Sequence, residues 1–129
     1  MNKSTRQLLP IEARLLLILA VIYINHESAI PGIADYGITI KDKVEHFEAF
    51  YVLSFLLDFS FPLKPFNLWK IIVLLAYGAG IELFQLTVIF RDCSLLDFMA
   101  DVLGMIVYWL SLPWLKRLPF LRDRWSVEP

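Results

Sequence analysis

The stretch LWKIIVLLAYGAGIELFQLTVIF, residues 68–90, decides how the rest of the chain is read. It exceeds the ~20 residues that a helix needs to cross a ~30 Å hydrocarbon core. It lacks the alternating period of a strand, and in lipid the backbone must satisfy its own hydrogen bonds, so a helix is expected. The composition agrees: 58% of the 129 residues are hydrophobic, and mean hydropathy is +0.61. A soluble domain has roughly 45–50% apolar residues. Lipid is therefore the main solvent of this chain.

Reading outward, Pro62 and Pro65 precede this segment, and they end a helix that starts near Asp42 and reaches about Phe61. Asp42 offers an N-cap there, with Glu45 completing a capping box. Upstream, Asn25 to Lys41 carries Pro31, Gly32 and Gly37 and reads as a loop, behind a first helix over Leu8–Ile24. That first helix follows Lys3, Arg6 and Arg14, as in a signal peptide, but Asn25, His26 and Glu27 make a poor cleavage site, so it reads as retained. Downstream, Arg91, Asp92, Cys93 and Ser94 form a polar break. Ser94 can cap a fourth helix, Leu95 to Leu112, ending before Pro113. Residues 113–129 mix Lys116, Arg117, Arg122 and Arg124 with Trp114, Phe120 and Trp125, which suits a headgroup interface. The expected fold is all-α, a single domain forming a four-helix transmembrane bundle whose motif-bearing core covers about 41–112.

Net charge is −1, so no basic field points to nucleic acid. Cys93 is the single cysteine and can form no intrachain disulfide. Lysine and arginine favour cytoplasmic loops. With the amino terminus inside, Lys3, Arg6, Arg14, Lys64, Lys70, Lys116, Arg117, Arg122 and Arg124 lie inside, and Lys41, Lys43 and Arg91 outside, nine against three. Both termini are therefore expected in the cytoplasm.

Ionisable groups within spans cost about 2.5–3.5 kcal/mol each at a helix centre and face the protein interior or a wet cavity. Helical spacing places Asp42, His46, Ala49 and Leu53 on one face; Gly78, Glu82 and Gln85 on another; and Ser94, Asp97, Asp101, Gly104 and Tyr108 on a third. Glu48 and Asp58 point elsewhere and read as interface or inter-helix groups. In the expected topology the second helix starts outside, the third ends outside and the fourth starts outside, so the three faces meet at one depth. A pocket open to the outer surface and floored by Asp101, about 10 Å below Ser94, follows.

The ordered set KDKVEHFEAFYVLSF (41–55), GIELFQ (80–85) and FRDCSLLDFMADVLG (90–104) resembles the VanZ-like family of small bacterial membrane proteins. The matching positions are Asp42, Lys43, His46, Glu82, Gln85, Arg91, Ser94, Asp97 and Gly104. Two departures stand out: Asp101 where the family usually has asparagine, and Phe50 where an aromatic hydroxyl is common. The resemblance implies a multi-pass protein of the bacterial cytoplasmic membrane. One member of that family is associated with low-level resistance to the glycopeptide teicoplanin.

Three functions compete. The first is binding of an amphiphile, such as a lipid headgroup, a cell-wall lipid intermediate or a glycopeptide. The candidate contacts are Asp42, Lys43, His46, Glu82, Gln85, Arg91, Ser94, Asp97 and Asp101, with the cationic side chains attracting phosphate or carboxylate. The second is acid/base catalysis on a lipid-linked substrate, with His46 as acid or base, Glu82 or Asp97 orienting it, and Arg91 stabilising negative charge. The third is proton-linked transport by a homo-oligomer through Asp101 or Glu82. A purely structural network of inter-helix hydrogen bonds is the plain alternative to all three. No cofactor is expected. A metal held by His46, Glu82, Asp97 and Asp101 is chemically feasible, but no ligand spacing in the sequence assigns one.

Overall fold

The computed structural model describes residues 3–30, 40–88 and 94–125, the side chains of 3–7, 40 and 41 excepted. These residues form four α-helices and one short 3₁₀ turn: α1 (Lys3–Ala29), α2 (Ile40–Ser60), α3 (Leu68–Gln85), α4 (Leu95–Leu115) and η1 (Arg122–Arg124). Three of the helices contain stretches long and apolar enough to cross a membrane, over Leu8–Ala29, Leu68–Gln85 and Leu95–Leu115. The fold is thus all-helical and of multi-pass membrane character.

The helix ends differ from expectation for local reasons. α1 runs through Asn25–Ala29, because the first strong stop signal is Pro31, and a helix can continue to just before a proline. α2 begins at Ile40, which puts Asp42 inside the first turn and not at the N-cap. α3 ends at Gln85, not Phe90. Leu86, Thr87 and Val88 donate to Leu83, Phe84 and Gln85, an i→i−3 pattern that tightens and closes the helix, and the Thr87 hydroxyl competes for the Phe84 carbonyl at 2.7 Å. Residues 89 and 90 lie outside the described residues. α4 runs past Pro113 to Leu115, with Lys116 N–H donating to Leu112 O at 3.0 Å, so the proline sits within the last turn. Ser94 is the N-cap, its hydroxyl accepting from Asp97 N–H at 3.3 Å.

α2 is the central helix. Phe50, Leu53, Ser54 and the whole run from Leu56 to Ser60 are buried, and its most extensive interface is with α4, followed by α1. Gly104 makes the α2–α4 approach close: a methyl group there would collide with the Phe47 carbonyl oxygen and lie 3.0 Å from Tyr51 N. Phe50, Leu53, Leu57, Leu74 and Met105 fill the centre of the bundle. By contrast, α1, α3 and α4 turn large apolar side chains outward, among them Leu15, Leu19, Ile22, Leu83, Leu95, Leu103 and Leu110, each more than half exposed. An apolar surface of this extent wrapped around a polar interior is what lipid selects.

Candidate functional site

The first turns of α2 and α4 and the last turns of α3 bring their polar faces together. Lys43 on α2 is paired with Asp97 Oδ1 on α4, and its ammonium also lies 3.7 Å from Asp42 Oδ2. One turn deeper, His46 Nδ1 is 2.8 Å from Asp101 Oδ1, and its Nε2 is 3.6 Å from Asp97 Oδ2. His46 was expected to pair with Glu82 or Asp97; the closer partner is Asp101. Glu82 on α3 accepts the Ser94 backbone N–H through Oε2 at 2.9 Å, which ties the end of α3 to the start of α4.

The cluster is dry. Glu82, Gln85, Asp97 and Asp101 are each at most 5% exposed. Among the described residues, three buried side-chain polar atoms have no hydrogen-bond partner: Trp69 Nε1, Glu82 Oε1 and Asp101 Oδ2. Two of those three belong to this cluster. Asp101 Oδ2 is directed at Gly78, where an added Cβ would stand 3.0 Å away, so the glycine leaves room for that oxygen. One ligand atom from each of His46, Glu82 and Asp101 lies within 4.8 Å of the others, and the same holds for Asp42, His46 and Asp97.

Beside the cluster is a cavity of about 450 Å³. It opens between α1, α2 and α3, and its lining includes Asp42 and His46, with Asp101 behind His46. One part of its wall is ionisable or polar, with Asp42, Glu45, His46, Glu48 and Gln85; the other is apolar, with Ala20, Ile24, Phe50, Val52 and Ile81. Phe50, at the position where the resemblance leads one to expect a hydroxyl, thus contributes an apolar surface. Arg91 and Cys93 lie outside the described residues.

A second polar cluster occupies the opposite end of the bundle, and the sequence did not announce it. Asp58 on α2, fully buried, accepts from Lys70 Nζ at 2.9 Å, Arg124 Nη2 at 2.7 Å and the Tyr108 hydroxyl at 2.7 Å. Arg124 also donates to the carbonyls of Asp58, Pro62 and Lys64, and Lys70 to those of Phe61 and Lys64. Part of the basic tail therefore folds inward: Arg124 is 4% exposed, and Trp125 packs edge-on against Phe59 at 5.4 Å. Tyr108, on the same helix face as Asp97 and Asp101, belongs to this cluster. The available signal was Asp58 itself, a carboxylate deep in the apolar run VLSFLLDFSF (52–61), which had to have buried cationic partners.

No protein-family model, no curated protein and no solved structure matches this chain.

Proposed function

We propose that this chain is a VanZ-like protein of the bacterial cytoplasmic membrane whose cavity binds an amphiphile from the outer face. In this reading α2 is the fourth span and both termini are cytoplasmic. α2 carries Asp42, Lys43, Glu45, Glu48 and Asp58, too many charges for a lipid-facing helix, but the other three helices pack around it and most of those charges face protein or the cavity.

The observation that carries the proposal is the mixed lining of the cavity. Its apolar groups suit an acyl or other apolar chain; its carboxylates and imidazole suit a polar head. The Lys43 ammonium is already engaged by Asp97 and Asp42, so the cavity wall is acidic. That favours a head bearing an amine or hydroxyls over a bare phosphate, with the carboxylates accepting its hydrogen bonds. An amino lipid and a lipoglycopeptide such as teicoplanin both have this chemistry.

Native mass spectrometry of the purified protein, in nanodiscs of mixed phosphatidylethanolamine and phosphatidic acid and with added teicoplanin, tests this. Retention of the amine-bearing lipid or of teicoplanin is expected, with loss in Asp42→Asn and His46→Ala at unchanged membrane abundance. Equal retention of both lipids together with no teicoplanin bound refutes it. A parallel fall in abundance and binding assigns the cluster to structure alone.

Acid/base catalysis on a lipid-linked substrate is the second reading, favoured by His46 Nδ1 resting 2.8 Å from a buried carboxylate while the ring lines the cavity. A chemically altered lipid in membranes that contain the protein is its signature.

A further inference from the structure

We infer that His46, Glu82 and Asp101 form a binding site for a divalent transition-metal cation. The inference concerns the buried carboxylates behind the cavity wall and does not rest on the amphiphile reading.

Acidic side chains near a histidine are common and carry no such meaning alone. Here the two carboxylates are 3% and 1% exposed, and each keeps one oxygen without any hydrogen-bond partner among the described residues. Buried carboxylates are ordinarily paired or bound to metal, and a buried unsatisfied polar atom calls for a cause. The other oxygen of each is spoken for: Glu82 Oε2 by Ser94 N–H, and Asp101 Oδ1 by His46. Ligand atoms of all three residues already stand within 4.8 Å of one another. Around a tetrahedral ion with ~2.0–2.1 Å bonds they would be about 3.3 Å apart, a closure that side-chain rotation can supply. Gly78 spares Asp101 Oδ2 the contact that a side chain at that position would make.

Charge points the same way. Among the described residues, Asp42, Glu82, Asp97 and Asp101 face two basic side chains, Lys43 and His46, and the Lys43 ammonium is held at Asp97. That ammonium also disfavours a cation at the neighbouring Asp42, His46 and Asp97 group, which leaves the deeper trio as the better site. One imidazole with two carboxylates suits zinc, manganese, iron or cobalt more than magnesium or calcium, which prefer shells made wholly of oxygen. Three protein ligands leave a coordination position open, and His46 connects the trio to the cavity.

The test uses the full chain, stripped of metal with chelator in detergent micelles and titrated with Co²⁺. Visible d–d absorption reports coordination, and calorimetry with Zn²⁺ reports stoichiometry. One equivalent is expected, with affinity falling at least about 100-fold in Glu82→Gln and Asp101→Asn, more than the loss of an outer-sphere partner causes. Glu12→Gln, which removes an exposed carboxylate on α1, should bind within about twofold of the parent. Should the buried variants fail to fold, the parent protein decides: its unfolding midpoint must rise with Zn²⁺ or Co²⁺ and not with equal Mg²⁺. Absence of saturable Co²⁺ uptake by the parent overturns the inference, as does equal uptake by folded Glu82→Gln and Asp101→Asn. Teicoplanin and lipid retention measured on the metal-stripped protein is a separate result, so failure of either reading leaves the other standing.

Discussion

Replacing Gly104 with alanine puts one methyl group into the tightest point of the α2–α4 interface. The new Cβ would overlap the Phe47 carbonyl oxygen and lie 3.0 Å from Tyr51 N and 3.3 Å from Phe47 C. All three are backbone atoms of α2, held within its own hydrogen-bond ladder, so no side chain can rotate away to relieve the contact. The helices must separate until these contacts reach the ~3.5–4.0 Å optimum, a shift of at least about 1 Å for the closest of them. A gap of that size forfeits a quarter or more of each dispersion contact it opens, and overpacking of this kind costs about 1–3 kcal/mol. His46–Asp101 and Lys43–Asp97 cross the same interface within the next two turns, and stretching the former adds about 1.5 kcal/mol. The expected loss is about 3 kcal/mol, read as a shift in the unfolding free energy in mixed micelles titrated with dodecyl sulfate and followed by circular dichroism. Gly80→Ala is the internal standard: nothing lies within 4 Å of a Cβ there, so only the helix-propensity gain of up to about 1 kcal/mol remains. If the two variants have the same stability, α2 and α4 do not meet as described and the argument for a site assembled across them fails.

Asp58→Ala leaves Lys70 and Arg124 buried without their carboxylate and should cost about 3–5 kcal/mol in the same unfolding assay; a loss below 1 kcal/mol would mean that water reaches this end of the bundle. Tyr108→Phe removes the hydroxyl donor to Asp58 Oδ2 and is expected to cost about 1–3 kcal/mol, with near-neutrality counting against the bond. Ser94→Ala deletes the α4 cap at about 1 kcal/mol, yet the Glu82 bond comes from the Ser94 backbone N–H and should survive, so Co²⁺ uptake should be retained. For topology, an impermeant maleimide should label Cys93, the single thiol, on intact cells; labelling confined to inside-out vesicles would reverse the proposed orientation.

What the sequence disclosed follows from helical period. Gly78, Glu82 and Gln85, and likewise Asp97, Asp101, Gly104 and Tyr108, recur at three- to four-residue spacing, and every one of them is buried. Spacing along a helix assigns a face but not which neighbour meets it. Asp101 was therefore placed on the correct face, but its pairing with His46 and its place beside Gly78 could not be read, because the packing of one helix on another carries no periodic signal. Arg124 was less accessible still. It lies 66 residues from Asp58, beyond the last helix, and nothing in a basic, aromatic tail distinguishes the one arginine that turns inward from Arg117 and Arg122, which stay exposed. The helix ends were misjudged where a single residue type was taken as a stop. Pro113 sits in the last turn of α4, while α3 closes at Gln85 through backbone and threonine bonds that no glycine or proline marks.

The two polar clusters share an origin and differ in completeness. His46 and Asp58 are twelve positions apart on α2, about 18 Å along its axis, with Phe50, Leu53 and Leu57 between them. At the Asp58 end both carboxylate oxygens are taken, by Lys70, Arg124 and Tyr108, and the cations spend their remaining donors on carbonyls at the end of α2 and in the turn that follows it. Nothing is left over for a ligand, and its effect is to fasten η1 and the start of α3 to the end of α2. At the His46 end, among the described residues, carboxylates outnumber bases, two oxygens have no partner, and the histidine is shared with a cavity. A network meant only to hold helices together would be expected to close as the Asp58 cluster does, because each open buried oxygen costs about 1–3 kcal/mol that a partner would recover. Among the described residues the chain satisfies its buried carboxylate fully at one end of α2 and only in part at the other, and that contrast is what the Co²⁺ titration tests.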